Sequence, residues 1–243
     1  MNNKKQILIT GASSDIGIGL IRQLMISKQY LIIGTCRNSE RLIKLKDELG
    51  DFLTIEADLS IESDVNNIKE YLQKNNLSPS KFVHLAAPDF RYLRFKDSHW
   101  EDFQREINVQ LKSVVFLLQA ILPKMKQEKS GEIVFVLSSV VRGIPPAALG
   151  HYTSIKYALL GLMHSLVSEY RKTGIRINAI SPSMIDTRFI ATIPEKLIEV
   201  VTENHPLKRL ATIEDVVPAI EFLLSERSSY INGENLFIDG AGA

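Results

Sequence analysis

The chain has 243 residues, 45% hydrophobic and 23% charged, with a formal net charge of +1. This length suits one large α/β domain, and the small net charge does not indicate binding to nucleic acid or to an anionic membrane. The single cysteine, Cys36, excludes an internal disulfide framework, and no apolar run reaches the roughly 20 residues of a membrane span, so we expect a soluble cytoplasmic protein.

Short β-branched runs alternate with longer amphipathic segments, which predicts βαβ units and a parallel sheet. The predicted strands cover residues 6–10, 30–35, 52–57, 81–86, 132–137, 176–180 and 235–238. The predicted helices cover residues 16–26, 40–49, 63–73, 100–126, 152–173 and 213–224. Capping-box spacing marks two helix starts, Ser98 with Glu101 and Thr212 with Asp215.

A glycine-containing turn, Gly11-Ala-Ser-Ser-Asp-Ile-Gly17, follows the first predicted strand. Gly11 allows a tight turn, and Gly17 lets the next helix approach the strand closely. The amino terminus of that helix would present free N–H groups and a partial positive charge to a pyrophosphate. Asp15 places a carboxylate there, and we expect it to cap the helix.

Tyr152 and Lys156 lie four residues apart, with Ser139 upstream at the end of an apolar strand. If Tyr152 begins a helix, Lys156 lies one turn further along the same face. Its ammonium and the positive ring of an oxidised nicotinamide would favour the phenolate. Lowering the tyrosine pKa from ~10 to roughly 7 requires about 4 kcal/mol. Alone, the pair also fits an aromatic anchor and a solvated lysine.

Taken together, these residues resemble the short-chain dehydrogenase/reductase family over essentially the whole chain. Residues 10–17 resemble its Thr-Gly-x-x-x-Gly-x-Gly cofactor turn, with Asp15 in place of a glycine. Residues 178–187 resemble the segment that holds the nicotinamide, and residues 231–240 resemble the last strand. Four residues match the family's catalytic positions, namely Asn108, Ser139, Tyr152 and Lys156.

The resemblance implies an α/β fold over residues 1–243: a single Rossmann-type, doubly wound domain whose seven-stranded parallel sheet is flanked by helices on both faces. A substrate lid is expected near residues 183–210. The implied reaction is hydride transfer between a nicotinamide and a carbonyl carbon. Tyr152 would protonate the developing alkoxide and Ser139 would hydrogen-bond the same oxygen, while Lys156 would hold the nicotinamide ribose. Asn108 would position a water.

The residues expected to bind the cofactor follow the strand ends. They are Gly11, Ser13, Ser14, Asp15, Ile16, Arg37, Asp58, Leu59, Ala86, Ala87, Tyr152, Lys156, Pro182, Ile185 and Thr187. The end of the second strand decides between NADP and NAD, because a carboxylate there binds the ribose 2′-hydroxyl and a basic residue suits a 2′-phosphate. Residues 34–38 place no carboxylate in reach of the ribose, and Arg37 is available to bind a 2′-phosphate. We therefore predict NADP, with NAD as the alternative, and no metal.

His84 and Leu85 stand where the family often has two asparagines, and we expect His84 to be a buried, hydrogen-bonded strand residue. The sequence says less about the substrate. The expected lid contains six apolar residues, which favour an apolar or acyl-like substrate; equally, these residues could simply pack on the core. They are Met184, Ile185, Phe189, Ile190, Ile193 and Leu197.

The chain most resembles bacterial β-ketoacyl-acyl-carrier-protein reductases, which implies a small carbonyl substrate, possibly carried by an acidic protein. A basic rim for that carrier would consist of Lys126, Lys129, Arg171 and Lys172, although solvated helix ends explain these residues equally well. Two alternatives stay open: a dehydrogenase of a sugar or secondary alcohol in a specialised pathway, and a non-catalytic nucleotide-sensing protein. Assembly into a homotetramer or homodimer is expected by resemblance alone.

Overall fold

A computed structural model describes residues 4–242. Seven parallel strands form one sheet in the order β3-β2-β1-β4-β5-β6-β7. Their bounds are β1 Lys5–Thr10, β2 Tyr30–Cys36, β3 Leu53–Glu56, β4 Lys81–His84, β5 Gly131–Val136, β6 Ile175–Pro182 and β7 Asn235–Ile238. The strand order reverses between β1 and β4, so a crevice opens at the carboxyl ends of these two strands.

Helices cover both faces of this sheet. Their bounds are α1 Asp15–Ser27, α2 Glu40–Leu49, α3 Glu62–Lys74, α4 Trp100–Glu106, α5 Ser113–Glu128, α6 Gly150–Tyr170, α7 Glu195–Asn204 and α8 Ile213–Leu224. A π-helical turn, Ile107–Lys112, joins α4 to α5. Within residues 4–242, we find no helix with the length and apolarity that crossing a membrane requires.

The alternation of side chains along the inner strands builds two apolar layers. On β1, Leu8 enters one layer, whereas Ile7 and Ile9 enter the other. The first layer contains residues of α3, α5 and α6, and the second contains residues of α1, α2 and α8. These two layers confirm the predicted doubly wound α/β fold.

Several predicted element boundaries were wrong. The helix predicted over 100–126 is interrupted by the π-helical turn, and the helix predicted from Tyr152 begins two residues earlier, at Gly150. The expected Ser98 capping box is displaced by one residue, because Asp102 accepts a hydrogen bond from the N–H of His99 at 3.0 Å. The second capping box is confirmed by a 2.8 Å hydrogen bond from the Thr212 N–H to Asp215. Helix α7, inside the expected lid, was not predicted.

The amino edge of the sheet holds a buried ion pair. Lys81 Nζ lies 2.5 Å from Glu132 Oε2 and donates to the carbonyl of Leu224 at 2.6 Å, and Lys81 is only 1% exposed. Arg176 also contacts the Glu132 carboxylate, at 3.5 Å. A charge that loses its buried partner is strongly destabilised, so this cluster is sensitive to the loss of either member.

We expect Lys81→Met to lower the free energy of unfolding by about 3 kcal/mol, because Glu132 would keep only its longer contact with Arg176. Urea denaturation measures this change. Lys74→Met is the matched control, since the Lys74–Glu70 pair is exposed and such pairs contribute about 1 kcal/mol or less. Equal losses in the two variants would contradict a stabilising role for the buried pair.

Candidate active site

A cavity of about 770 Å³ opens at the carboxyl edge of the sheet, at the reversal of strand order. All fifteen residues predicted to bind a cofactor line it, from Gly11 in the first turn to Thr187 after β6. Tyr152 and Lys156 lie on its wall, whereas Asn108 and Ser139 are not among the lining residues. The residues predicted to bind a cofactor therefore converge on one cleft, and two of the four predicted catalytic residues line it.

The turn after β1 has the shape that a dinucleotide requires. Gly11 has a φ of +66°, and a Cβ on it would lie 2.8 Å from the backbone nitrogen of Ala86. A Cβ on Gly17 would lie 2.5 Å from the carbonyl oxygen of Ala12. The first turn of α1 thus stands close to the strand ends, where the amino terminus of the helix can attract an anion. The residues present fit a nicotinamide dinucleotide.

The cap of α1 differs from the prediction. Ser14, and not Asp15, is the N-cap, because its hydroxyl accepts a 3.0 Å hydrogen bond from the N–H of Gly17. Asp15 instead pairs with Arg41 at 2.7 Å and accepts a 2.8 Å hydrogen bond from the N–H of Arg188. The charge of the carboxylate is therefore offset by groups from α2 and from the segment after β6, so it can be accommodated beside the expected pyrophosphate position.

Tyr152 and Lys156 lie on the same side of α6, and both are buried. The Lys156 Nζ is 5.4 Å from the centroid of the Tyr152 ring and donates a 3.0 Å hydrogen bond to the carbonyl of Val136. Burial lowers the pKa of Lys156 to about 8, and the nearby Glu106 carboxylate opposes this change. At pH 7 the amine is still mainly a cation.

Ser138, and not Ser139, is among the residues that line the cleft together with Tyr152. The Ser138 side chain acts on the pKa of Tyr152, and its hydroxyl accepts a 3.4 Å hydrogen bond from the N–H of Val140. Val136 and Leu137, which precede Ser138, also line the cleft, whereas Ser139 begins a short 3₁₀ turn. Ser139 stays the serine predicted from the family resemblance, and Ser138 is a second candidate that the sequence pattern did not indicate.

Asn108 lies within the π-helical turn. Its carbonyl accepts the N–H of Ser113, five residues on, and its side-chain oxygen accepts a 3.0 Å hydrogen bond from Gln104. Such π turns often occur at functional sites. Here the turn explains how an asparagine, unfavourable in a regular helix, is accommodated.

Several polar side chains near Lys156 are also buried. His84 is hydrogen-bonded through Nδ1 to the Thr10 hydroxyl at 2.8 Å, as expected for a buried strand histidine. Burial, with the nearby Lys156 cation, lowers the pKa of His84 to about 3, so this ring is neutral. Gln110 donates to the buried carboxylate of Glu106, whose pKa is raised by burial. The Glu106 carboxylate thus supplies a negative charge that favours the cationic form of Lys156.

The pKa of Tyr152 differs from the expectation. Burial raises it above the usual value of a tyrosine; the Ser138 hydroxyl opposes this rise and the Glu106 carboxylate adds to it. The protein groups alone therefore keep the phenol protonated, which suits a proton donor. The predicted lowering would have to come from the positive ring of an oxidised nicotinamide.

An ion pair between two residues that line the cleft was also not foreseen. Arg37, expected to have no carboxylate in reach, lies 2.9 Å from Asp89, which follows β4. The same carboxylate contacts Arg105 at 3.2 Å. Sequence reasoning missed Asp89 because it lies 52 residues from Arg37. Asp89 follows β4, one of the two strands between which the strand order reverses, and this position could have indicated that Asp89 lines the cleft.

Aromatic side chains cover the tyrosine. Phe90 stands edge-on to Tyr152 with ring centroids 5.4 Å apart, and the Phe189 ring lies 6.3 Å away. Ile190 and Ile193, from the expected lid, belong to the same apolar cluster. These contacts bury most of the Tyr152 side chain, which still lines the cleft.

Comparison with known proteins agrees with this geometry. A family model described as enoyl-(acyl-carrier-protein) reductase matches residues 11–241. The chain belongs to the short-chain dehydrogenase/reductase family. It is 33% identical over 239 residues to the 3-oxoacyl-[acyl-carrier-protein] reductase FabG of Rickettsia prowazekii, covering 97% of this chain and 95% of that protein.

Two solved structures are also similar to this member of the short-chain dehydrogenase/reductase family. The structure of a 4-hydroxyisoleucine dehydrogenase complexed with NADH has a TM-score of 0.87 at 28% identity, covering 99% of each chain. The 3-oxoacyl-[acyl-carrier protein] reductase of Brucella melitensis has a TM-score of 0.87 at 22% identity, covering 98% of this chain and 91% of that one, which shows the fold alone. The protein is an NAD(P)-dependent oxidoreductase acting on CH–OH or carbonyl groups.

Proposed function

We propose that the protein is an NADPH-dependent reductase that converts a carbonyl, in the first instance a 3-oxoacyl thioester, to a secondary alcohol. The observation that carries this proposal is the meeting of Tyr152, Lys156 and Ser138 at the carboxyl edge of the sheet, beside the Gly11 turn. The bound cofactor would supply the hydride. The chain itself supplies the proton, the binding groups and a site from which water is excluded.

In the proposed reaction the Tyr152 hydroxyl donates its proton to the carbonyl oxygen, and the Ser138 hydroxyl donates a hydrogen bond to the same oxygen. Lys156 would stabilise the resulting phenolate and hold the nicotinamide ribose. We keep Asn108 in the positioning role implied by the family, and Ser139 as the alternative hydroxyl. Preorganised donors of this kind are effective because their dipoles need no reorientation as charge develops.

The acyl-like substrate is supported by the apolar surroundings of the tyrosine. The apolar side chains of Phe90, Phe189 and Ile193 border the cleft. A substrate bound beside them would therefore contact mainly apolar atoms. The relative from Rickettsia prowazekii bears the name of a 3-oxoacyl-[acyl-carrier-protein] reductase, which makes a thioester the first substrate to test.

The second candidate is an NADH-dependent dehydrogenase of a small secondary alcohol. It is favoured by the similarity to a 4-hydroxyisoleucine dehydrogenase whose structure contains NADH. The Arg37–Asp89 ion pair also favours it, because Asp89 offsets the positive charge that a 2′-phosphate requires.

The proposal includes a homotetramer or homodimer and a cytoplasmic location. Exposed apolar side chains near α4 and α6 support assembly, since Phe95 is 80% exposed, Trp100 65% and Ile144 98%. The buried thiol of Cys36, the one cysteine in the sequence, suits a reducing compartment.

The basic rim does not adjoin the cleft of its own chain. Lys126 and Lys129 shortly precede β5, and Arg171 and Lys172 shortly precede β6. They therefore lie at the amino edge of the sheet, whereas Tyr152 faces the carboxyl edge. A carrier protein bound at this rim would have to serve the cleft of another subunit.

Turnover of acetoacetyl thioesters, keto sugars and simple ketones, each with NADPH and with NADH, tests the proposed function. We expect the highest kcat/KM for the thioester with NADPH. A preference for a keto sugar or simple ketone with NADH would replace this proposal by the second candidate. Cofactor binding without turnover of any substrate would contradict both and favour a nucleotide sensor.

The two serines give a sharper test of the site. We expect Ser138→Ala to lower kcat by about 100-fold, because one preorganised donor to the developing alkoxide is lost. Ser139→Ala, the matched control one residue away, should stay near the wild-type value. Steady-state kinetics with the preferred substrate measures both variants. The reverse order of effects would restore Ser139 as the working hydroxyl.

A further inference from the structure

Asp89 contacts two arginines that line the cleft with it. Its Oδ1 lies 2.9 Å from Arg37 Nη2, and its Oδ2 lies 3.2 Å from Arg105 Nη2. All three side chains line the cavity. The hydrogen bond from Arg37 and the charges of both arginines hold the pKa of the Asp89 carboxyl below its usual range, so the group is an anion at neutral pH.

The Arg37–Asp89 ion pair spans the carboxyl end of β1. Arg37 follows β2 and Asp89 follows β4, and these two strands flank β1 in the sheet. The Gly11 turn begins where β1 ends, and Asp58 and Leu59, after β3, continue the lining of the cleft on the Arg37 side. The ion pair thus lies at the part of the cleft where the adenosine half of a dinucleotide is expected.

The ion pair can be opened by a competing anion. The Arg37 side chain is 55% exposed and that of Asp89 is 69% exposed, and ion pairs in such a wet position are weak. A phosphate that takes Arg37 from Asp89 nevertheless leaves a carboxylate facing a second anion at short range. A ribose with a free 2′-hydroxyl creates no such repulsion.

We propose that Asp89 sets the cofactor selectivity of this protein by lowering its affinity for dinucleotides that carry a 2′-phosphate. Asp89 does so by sharing the guanidinium of Arg37 and by repelling the phosphate directly. This inference rests on the proposed role of Arg37 as the phosphate ligand. It makes Asp89 a specificity-determining residue without any part in the chemistry at Tyr152.

Fluorescence titration with NADPH and with NADH tests the inference on wild type, Asp89→Asn, Arg37→Gln and the double variant. Asp89→Asn removes one charge and keeps the side-chain shape. We expect it to tighten NADPH binding by about five- to tenfold at low salt, with NADH binding nearly unchanged, and the gain should shrink as salt rises. In the Arg37→Gln background the gain should be smaller, because no guanidinium remains to be released.

Asp47→Asn is the matched charge control, since Asp47 is an exposed carboxylate of α2 and is not a lining residue of the cleft. Equal changes in NADPH and NADH affinity for Asp89→Asn, or the same NADPH gain for Asp47→Asn, would overturn the inference. Wild-type preference for NADH would contradict the proposed function but not the inference. The shift produced by Asp89→Asn is measured relative to wild type, whichever cofactor wild type prefers.

Discussion

Replacing Tyr152 by phenylalanine should lower kcat for carbonyl reduction by about a thousandfold, within the range that general acid catalysis contributes. The ring is packed against Phe90 and is only 8% exposed, so phenylalanine fills the same space and the fold should be retained. Tyr152 lines the cleft together with Lys156 and Ser138, and the Lys156 Nζ lies 5.4 Å from the centroid of its ring. Steady-state kinetics with the preferred substrate measures the loss.

The control for this variant is cofactor affinity. The hydroxyl is proposed to act on the substrate oxygen, so the Kd for NADPH should be nearly unchanged in Tyr152→Phe. Retained turnover would remove Tyr152 from the mechanism. Loss of turnover with an equal loss of NADPH binding would instead show that the side chain shapes the cofactor site.

Lys156→Met should lower kcat by about 100-fold, because the phenolate formed during reduction loses its nearest cation. Lys156→Arg is not expected to restore activity, since the buried amine fits against the carbonyl of Val136 at 3.0 Å and a guanidinium is larger. Lys81→Met, the other buried lysine variant, should be less stable yet keep its kcat, because Lys81 lies at the opposite edge of the sheet.

The pH dependence separates an electrostatic role of Lys156 from a purely structural one. Burial lowers the pKa of Lys156 to about 8, so the amine is cationic below this pH and neutral above it. We expect kcat for reduction in wild type to fall as the pH rises through about 8. In Lys156→Met this limb should be absent. An unchanged pH profile in the variant would contradict the electrostatic role.

The parts of the fold that could be predicted from the sequence are those that depend on residues close together in the chain. The Gly11 turn, the apolar strands and the Tyr152–Lys156 spacing each act within one strand or one helical turn, and each was found where it was expected. The Thr212 capping box is local in the same way. The extra backbone turn at residues 107–112 was not predicted, because a π turn has no distinct apolar period.

The features that sequence reasoning missed depend on contacts between distant segments. Asp89 meets Arg37 only because β2 and β4 both border β1, and Asp15 meets Arg188 across 173 positions of the chain. The position of Ser138 in the lining of the cleft, next to the predicted Ser139, was not indicated by any local sequence pattern. The pKa of Tyr152 depends on burial under Phe90, which no local pattern indicates.

The role of Tyr152 as the proton donor can be tested by a crystal structure of the ternary complex with NADP and the alcohol product of the preferred substrate. We expect the Tyr152 hydroxyl within about 2.6–3.2 Å of the product oxygen, with Ser138 contacting the same atom and Phe189 displaced from the phenol. A product oxygen bound elsewhere, with the Tyr152 hydroxyl directed away from it, would contradict the claim that this tyrosine delivers the proton.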